Sequence, residues 1–250
     1  MNTLTVKNIS FGTGIPKICV PIIATTKEEL IHQLPDFDRN DIDCLEWRVD
    51  FMEDLSDFSN FIEIAKIIQT TLPNKPLLFT FRTKQEGGEQ SLPLEAYFDL
   101  NLTLAKSGYI DMVDLELFAS TEEEIAKQTS LLQSHGVTVV MSNHDFNQTP
   151  NEEIIINRLK KMETLGANIA KIAVMPNNSK DVLSLLSATN QAKDLLHIPL
   201  VSMSMGKLGG ISRISGECFG SCITFGSLYT ASAPGQIPVA QLKETLVLLS

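Results

Sequence analysis

TVVMSNHDFNQTPNEEIIINRLKKMETLGANIAKIAVMP, residues 138–176, holds two short apolar runs separated by a stretch of different periodicity. The runs TVVMSNHDF and NIAKIAVMP have the length of buried strands. NEEIIINRLKKMETLG instead places apolar residues at three- and four-residue intervals, the spacing of an amphipathic helix. Asn151 followed by Glu152 and Glu153 reads as the helix start and Gly166 as its end. The segment is one strand–helix–strand unit.

The same alternation runs outward in both directions. Strand-like runs occur at KICVPIIA, CLEWRVDF, PLLFTFR, IDMVDLEL, PLVSMSM and CITFGS, making eight with the two above. Between most of them lie helix-like stretches such as FSNFIEIAKIIQTTL, LEAYFDLNLTLAKSG, TEEEIAKQTSLLQSHG and SKDVLSLLSATNQAKDLL. Eight units at about 30 residues each fit a (β/α)8 barrel better than a doubly wound sheet, which has fewer strands. Residues 1–250 are therefore expected to form a single α/β domain, a TIM barrel. The leading LTVKNISFGTG fits none of the eight units and reads as a strand pair closing the barrel's N-terminal end.

Composition narrows the function. A 250-residue chain with 43% hydrophobic content can bury such a core. A net charge of −10 argues against nucleic-acid and anionic-membrane partners, whose phosphates call for excess Lys and Arg. No stretch approaches the roughly 18 apolar residues of a membrane span, and the N-terminus lacks a basic segment followed by an apolar one. The expectation is a cytoplasmic protein acting on a small molecule. Cys19 and Cys44 lie in apolar runs and read as small hydrophobes; Cys218 and Cys222 lack the further ligands of a closed zinc site.

Barrel enzymes build their sites at the C-terminal ends of the strands. Two-residue alternation puts Glu46 and Arg48 on one face of the second strand and Asp114 and Glu116 on one face of the fourth. Arg82 ends the third strand, Glu86 follows in TKQEGGEQ, His144 ends the fifth, Lys171 lies within the sixth, and Arg213 follows the seventh. Glu46 with Arg48 reads equally as an ion pair in a polar barrel layer or as a ligand contact. Asp114 and Glu116 read as structural support, and His32, His135 and His197 as surface residues.

A lysine in mid-strand has fewer innocent explanations, because a buried ammonium is costly. Desolvation among Ile169, Ala173 and Met175 favours the free amine of Lys171. An amine attacks a ketone or aldehyde, and the resulting imine is an electron sink that permits carbon–carbon cleavage or loss of a β-hydroxyl. His144 on the adjacent strand is placed to take the proton, with Glu86 fixing its tautomer. Of the five arginines, Arg48, Arg82 and Arg213 fall around the expected mouth, so an anionic ligand, carboxylate or phosphate, is expected. An apolar residue in place of Lys171 should leave no unpaired charge behind.

EWRVDF (46–51), FTFRTKQEGG (79–88), SNHDF (142–146), AKIAVMP (170–176), SMGKLGGISR (204–213), FGS (219–221), TFG (224–226) and ASAPGQ (231–236), in this order, resemble the signatures of type I 3-dehydroquinate dehydratases. The resemblance implies a (β/α)8 barrel that converts 3-dehydroquinate to 3-dehydroshikimate in the shikimate pathway, with no metal or organic cofactor. It implies an imine on Lys171, proton transfer by His144, and Glu86 as its orienting partner. It further implies Arg213 on the substrate carboxylate, and Glu46, Arg48 and Arg82 on the ring hydroxyls. Ser232 and Gln236 fall in a closing loop, YTASAPGQIP (229–238), expected to order over ligand. Members of the family are commonly homodimers. Two alternatives stand beside it. One is a class I aldolase-like barrel with a phosphate site at Gly206, Gly209 and Gly210; the other is a catalytically silent binding barrel.

Overall fold

The computed structural model describes residues 3–229 and 232–250. Its strands are β1 (Leu4–Val6), β2 (Ile9–Phe11), β3 (Lys17–Ile22), β4 (Cys44–Arg48), β5 (Leu77–Thr80), β6 (Met112–Glu116), β7 (Thr138–Asp145), β8 (Ile169–Val174), β9 (Leu200–Ser204), β10 (Ile223–Ser227) and β11 (Ile237–Pro238). The helices are α1 (Lys27–Gln33), α2 (Phe58–Thr71), α3 (Leu94–Ser107), α4 (Glu122–Gln133), α5 (Glu152–Thr164), α6 (Ser179–Leu195), α7 (Gly210–Ile214), α8 (Gly216–Phe219) and α9 (Val239–Leu249). Strands β3 to β9 pair in sequence order and in parallel, and β10 pairs back onto β3. Between β9 and β10 a bridge from Leu200 to Ser221, with the Cys222 N–H donating to the Leu200 carbonyl at 2.8 Å, completes the circuit. The expected (β/α)8 barrel is what the chain forms.

Helix ends follow the expected local chemistry. The Asn151 side chain accepts the Ile154 N–H at 2.9 Å to open α5, and Thr121 accepts the Glu124 N–H at 3.4 Å to open α4. Gly166 and Gly136, with φ of 91° and 82°, turn the chain out after them.

Alternation along each strand sorts the barrel into two cores. Outward side chains such as Ile22, Leu45, Trp47, Phe79, Leu115, Val139 and Ile172 pack under the helices. Inward side chains at the N-terminal end, including Cys19, Cys44, Leu78, Met112, Val140 and Ile169, make an apolar plug with Val6 and Phe11 of the β1–β2 hairpin. Phe11 is fully buried, a contribution of about 1.5–3 kcal/mol for a side chain of its class. Lys7 ties the hairpin down by donating to the carbonyls of Pro73 and Lys75, each at 2.9 Å, and pairing with Asp111 at 3.2 Å. The hairpin thus covers the N-terminal end of the barrel. Cys19, Cys44 and Cys222 are buried free thiols, whereas Cys218 is exposed. His32, His135 and His197 are exposed. Among the described residues no helix is long and apolar enough to cross a membrane.

Candidate active site

One step above the apolar plug the inward positions turn polar: Glu46, Thr80, Asp114, Ser142 and Lys171, all nearly or fully buried. The parallel register sets Ser142 beside Lys171 and His144 beside Ala173, so His144 stands one pleat nearer the mouth than the lysine. Lys171 Nζ lies 3.4 Å from both Glu46 Oε1 and Asp114 Oδ2 and 4.6 Å from the centroid of the Phe225 ring. The lysine is buried, as expected, but this corrects the expectation that an apolar replacement would leave no unpaired charge. Two carboxylates face it, and an apolar replacement would strip both of a partner.

The glycines after β5 bring Glu86 over the mouth. Gly87 has φ of 85°, and a Cβ there would sit 2.2 Å from the Phe146 ring; a Cβ on Gly88 would sit 1.9 Å from the Arg82 carbonyl oxygen. Only glycine lets this loop fold back so tightly. Glu86 Oε2 then accepts the His144 backbone N–H at 2.9 Å and lies 2.9 Å from His144 Nδ1, while Oε1 accepts from Asn143 Nδ2 at 3.0 Å. Burial first, and then the nearby Glu116 carboxylate, push the Glu86 carboxyl up to about 8. Burial, reinforced by the positive charges of Arg82, Lys171 and Arg48, holds the His144 imidazole well below its ordinary value. With Nδ1 engaged by Glu86, a neutral imidazole has Nε2 to offer a ligand.

Arg82 is spoken for by the protein. Its Nη2 donates to Asp114 Oδ2 at 2.7 Å, and its Nη1 donates to Glu116 Oε1 and to Ser142 Oγ at 2.9 Å each. Burial opposes its charge, but Asp114, Glu116 and Glu86 overcome that and raise its pKa well above the usual guanidinium value. Burial would likewise raise the Asp114 carboxyl, yet Arg82 and Lys171 hold it below the ordinary carboxylate range. Asp114 and Glu116 are the structural supports that alternation suggested. Glu46 and Arg48 do not lean on each other. Arg48 gives a two-pronged bond to Asp50, 2.7 Å on each prong, while Glu46 accepts from Thr80 Oγ1 at 3.1 Å.

Arg213, on α7, is of another kind. It is 2% exposed, its Nη2 donates to the Pro234 carbonyl at 3.0 Å, and its Nε and Nη1 are buried with no partner among the described residues. Burial pulls its pKa down to about 10. A buried guanidinium with two idle donors is set up for an anion. Ser232 and Gln236 bond each other, Gln236 Nε2 donating to Ser232 Oγ at 2.9 Å, and both border the cavity. Residues 230 and 231 of the expected closing loop lie outside the described residues. The cavity, about 460 Å³ of empty space, is lined by Glu46, Arg48, Arg82, Glu86, His144 and Lys171 below and Ser232 and Gln236 above. Eight of the nine site residues named from sequence meet there, and Arg213 adjoins through Pro234.

The phosphate-site alternative finds little here. The Gly206 N–H donates to the Pro234 carbonyl at 3.0 Å and the Gly210 N–H to the Lys207 carbonyl at 3.2 Å, so two of the three loop amides are already used. Sequence reading overlooked Asp50, Ser142, Asn143 and Phe225. Asp50 stands two residues after Arg48, where a complementary charge was visible, but the chain leaves strand geometry at Val49 and alternation no longer applies. Among the described residues no group of three or more His, Cys, Asp or Glu could hold a metal ion.

Comparison with known proteins agrees with this geometry. The type I 3-dehydroquinase family profile matches residues 18–250. A 3-dehydroquinate dehydratase of Listeria welshimeri is 48% identical over 249 residues, covering 100% of this chain and 98% of its own. That of Escherichia coli O1:K1 / APEC is 47% identical over 250 residues, covering 100% and 99%. The type I 3-dehydroquinate dehydratase of Clostridium difficile, crystallised with covalent modified comenic acid, superimposes with a TM-score of 0.95 at 43% identity, covering 99% of this chain and 97% of its own. The ordered motifs, the closed barrel and these end-to-end similarities converge: the chain belongs to the type I 3-dehydroquinase family.

Proposed function

We propose that this chain dehydrates 3-dehydroquinate to 3-dehydroshikimate, a step of the shikimate pathway, through an imine on Lys171. One observation carries the reading: the Lys171 amine and the Glu86–His144 pair open onto the same buried cavity. The Clostridium difficile relative was crystallised with covalent modified comenic acid.

In the proposed sequence the Lys171 ammonium passes a proton to His144, its amine adds to the ring ketone, and the proton returns as the ketone oxygen leaves as water, giving a protonated imine. His144 Nε2 takes the proton from the adjacent ring carbon, and the electron pair left behind flows into the imine. The pair returns as the β-hydroxyl departs, taking its proton from His144. Hydrolysis of the conjugated imine frees product and lysine, so the net change is loss of one water. Glu86 keeps the imidazole oriented through Nδ1. The idle Nε and Nη1 of Arg213 are the proposed seat of the substrate carboxylate, and Glu46, Arg48 and Arg82 border the space for its hydroxyls. Ser232 and Gln236 cover the bound ring. The same proposal includes a homodimer in the cytosol, supported only by what the family resemblance implies.

Borohydride tests the imine. Reduction in the presence of substrate should fix ligand mass on one peptide, that carrying Lys171, and Lys171→Met should abolish both the adduct and the appearance of ultraviolet absorbance from the enone product. An adduct on another lysine would overturn the assignment, as would turnover by Lys171→Met.

A further inference from the structure

Behind Glu86, on the side away from the cavity, α5 contributes Arg158. Its Nη1 donates to Asn143 Oδ1 at 2.9 Å, and its guanidinium carbon lies 5.5 Å from the centroid of the Phe118 ring, which braces it. The Asn143 side chain is buried and spans from Arg158 to Glu86, reaching Oε1 through Nδ2 at 3.0 Å. A guanidinium can only donate, so the end of the amide facing Arg158 must be its oxygen. The end facing Glu86 is then the NH2 group. Arg158 therefore settles the orientation of Asn143, and Asn143 presents Glu86 with a donor.

Glu86 Oε1 is taken up by that donor, and Oε2 already accepts the backbone N–H of His144. A proton shared by the pair has one natural path, the 2.9 Å line from Oε2 to Nδ1. We propose that Arg158 and Asn143 are positioning residues for the reaction, holding Glu86 as a carboxylate so that His144 Nε2 stays free to take the substrate proton. This rests on the reading of His144 as the base.

The working state is a Glu86 carboxylate beside a neutral imidazole protonated at Nδ1. One added proton gives either imidazolium with carboxylate, or a carboxylic acid donating to Nδ1 with the hydrogen moved to Nε2. Neither form can accept a proton from substrate. The Asn143 donor favours the carboxylate, so its loss makes the pair gain that proton at higher pH. Other charges face the pair: Arg82 from the segment just after β5, with Nη1 3.6 Å from Glu86 Oε2; Glu116 and Asp114 from β6; Lys171 from β8; and Arg48 from β4. Lys84 and Asp145 border the outer cleft beside His144. All of them remain when Asn143 is changed to leucine, so a displaced titration in that variant reports the lost donor, whereas aspartate adds a like charge to that loss.

The acid limb of kcat/KM is the readout. In Asn143→Leu it should move up by about one pH unit, the size expected for one hydrogen bond to a charged group. Asn143→Asp, isosteric and still able to accept from Arg158, should move it at least as far and serves if the leucine variant does not fold. Arg158→Met should give an intermediate shift and Arg158→Lys should restore the wild-type profile, since an ammonium also only donates. In a Glu86→Gln background, Asn143→Leu should add no further shift. An unmoved acid limb in folded Asn143→Leu or Asn143→Asp would overturn the proposal, as would a shift that persists without Glu86. Borohydride adduct on Lys171 should form in every Asn143 variant. Full turnover by His144→Ala would instead remove the base on which the inference rests, so the two failures are told apart.

Discussion

Glu86 Oε2 receives both the backbone N–H of His144 and, at 2.9 Å, its Nδ1, so a single carboxylate oxygen fixes the imidazole and the strand end that carries it. The bond is made in a buried place, beside Glu116, that disfavours the carboxylate, and the carboxyl is pushed up to about 8.

That arrangement costs stability in a definable pH window. Protonation of Glu86 is favoured by folding, because its folded pKa of about 8 stands above the ordinary 4.5. Its stabilising contribution is complete below the ordinary value and is lost as pH rises through about 8. Glu86→Gln keeps the neutral shape without the charge. Its melting temperature relative to wild type should therefore be higher at pH 9 than at pH 5, while activity falls. Thermal melts of both proteins at the two pH values check this; a difference that does not change with pH would show that the buried carboxylate carries no such cost.

Arg213 and Arg82 are both buried arginines, and removing each should have an opposite consequence. Arg213 has two donors without partners among the described residues, so Arg213→Met relieves the protein of an uncompensated charge. The free enzyme should melt no lower than wild type, whereas kcat/KM should fall by about 30- to 1000-fold, equal to 2–4 kcal/mol of transition-state binding. Melting and steady-state kinetics together decide it.

Arg82→Met should instead unfold the protein more easily. It leaves the buried carboxylates of Asp114 and Glu116 without their main cation, a loss of about 3–5 kcal/mol by the usual size of such breaks. Urea denaturation measures this directly. A stability near wild type would mean that Lys171 alone can balance Asp114.

How these contacts were read from sequence explains where such reading stops. Period two and period 3.6 marked all eight barrel strands and the long helices, because each element has one face in apolar packing. The same alternation put Glu46 with Arg48 and Asp114 with Glu116 on shared faces, since polar residues inside a barrel have few other reasons to recur at that spacing, whereas Lys171 stood out by its burial in an apolar strand. Partner choice was not legible. Arg48 turned to Asp50 rather than Glu46, and Arg82 reached across to Asp114, Glu116 and Ser142 on strands 30 to 60 residues away. Those choices depend on the stagger between neighbouring strands, which no local pattern encodes. Arg158 was visible only as one of five arginines, because its role depends on a helix packing behind β7.

The closing loop offers a test in solution. Pro234 is its anchor, accepting from Arg213 Nη2 and from the Gly206 N–H, each at 3.0 Å. If substrate carboxylate joins Arg213, ligand should tighten the segment that this carbonyl holds. Amides of residues 232–237 should exchange more slowly with product bound than without, and the effect should be lost in Arg213→Met. Exchange that ignores ligand would separate the loop from the site.

Lys171 supplies the last test, and one that sequence alone would have mispredicted. Were the amine isolated among apolar residues, Lys171→Met would be stabilising. With Glu46 Oε1 and Asp114 Oδ2 at 3.4 Å, the ammonium instead balances two buried carboxylates. Asp114 keeps Arg82 after the change, but Glu46 is left with the Thr80 hydroxyl. Lys171→Met should therefore lose about 1–3 kcal/mol, less than a fully broken buried pair because the contacts are long and one partner stays compensated. Adding Glu46→Gln should recover most of that loss without restoring turnover. Urea midpoints of the two single variants and the double variant form a cycle whose coupling is expected to be favourable to the wild-type pair. Additive effects would mean that the two side chains do not sense each other.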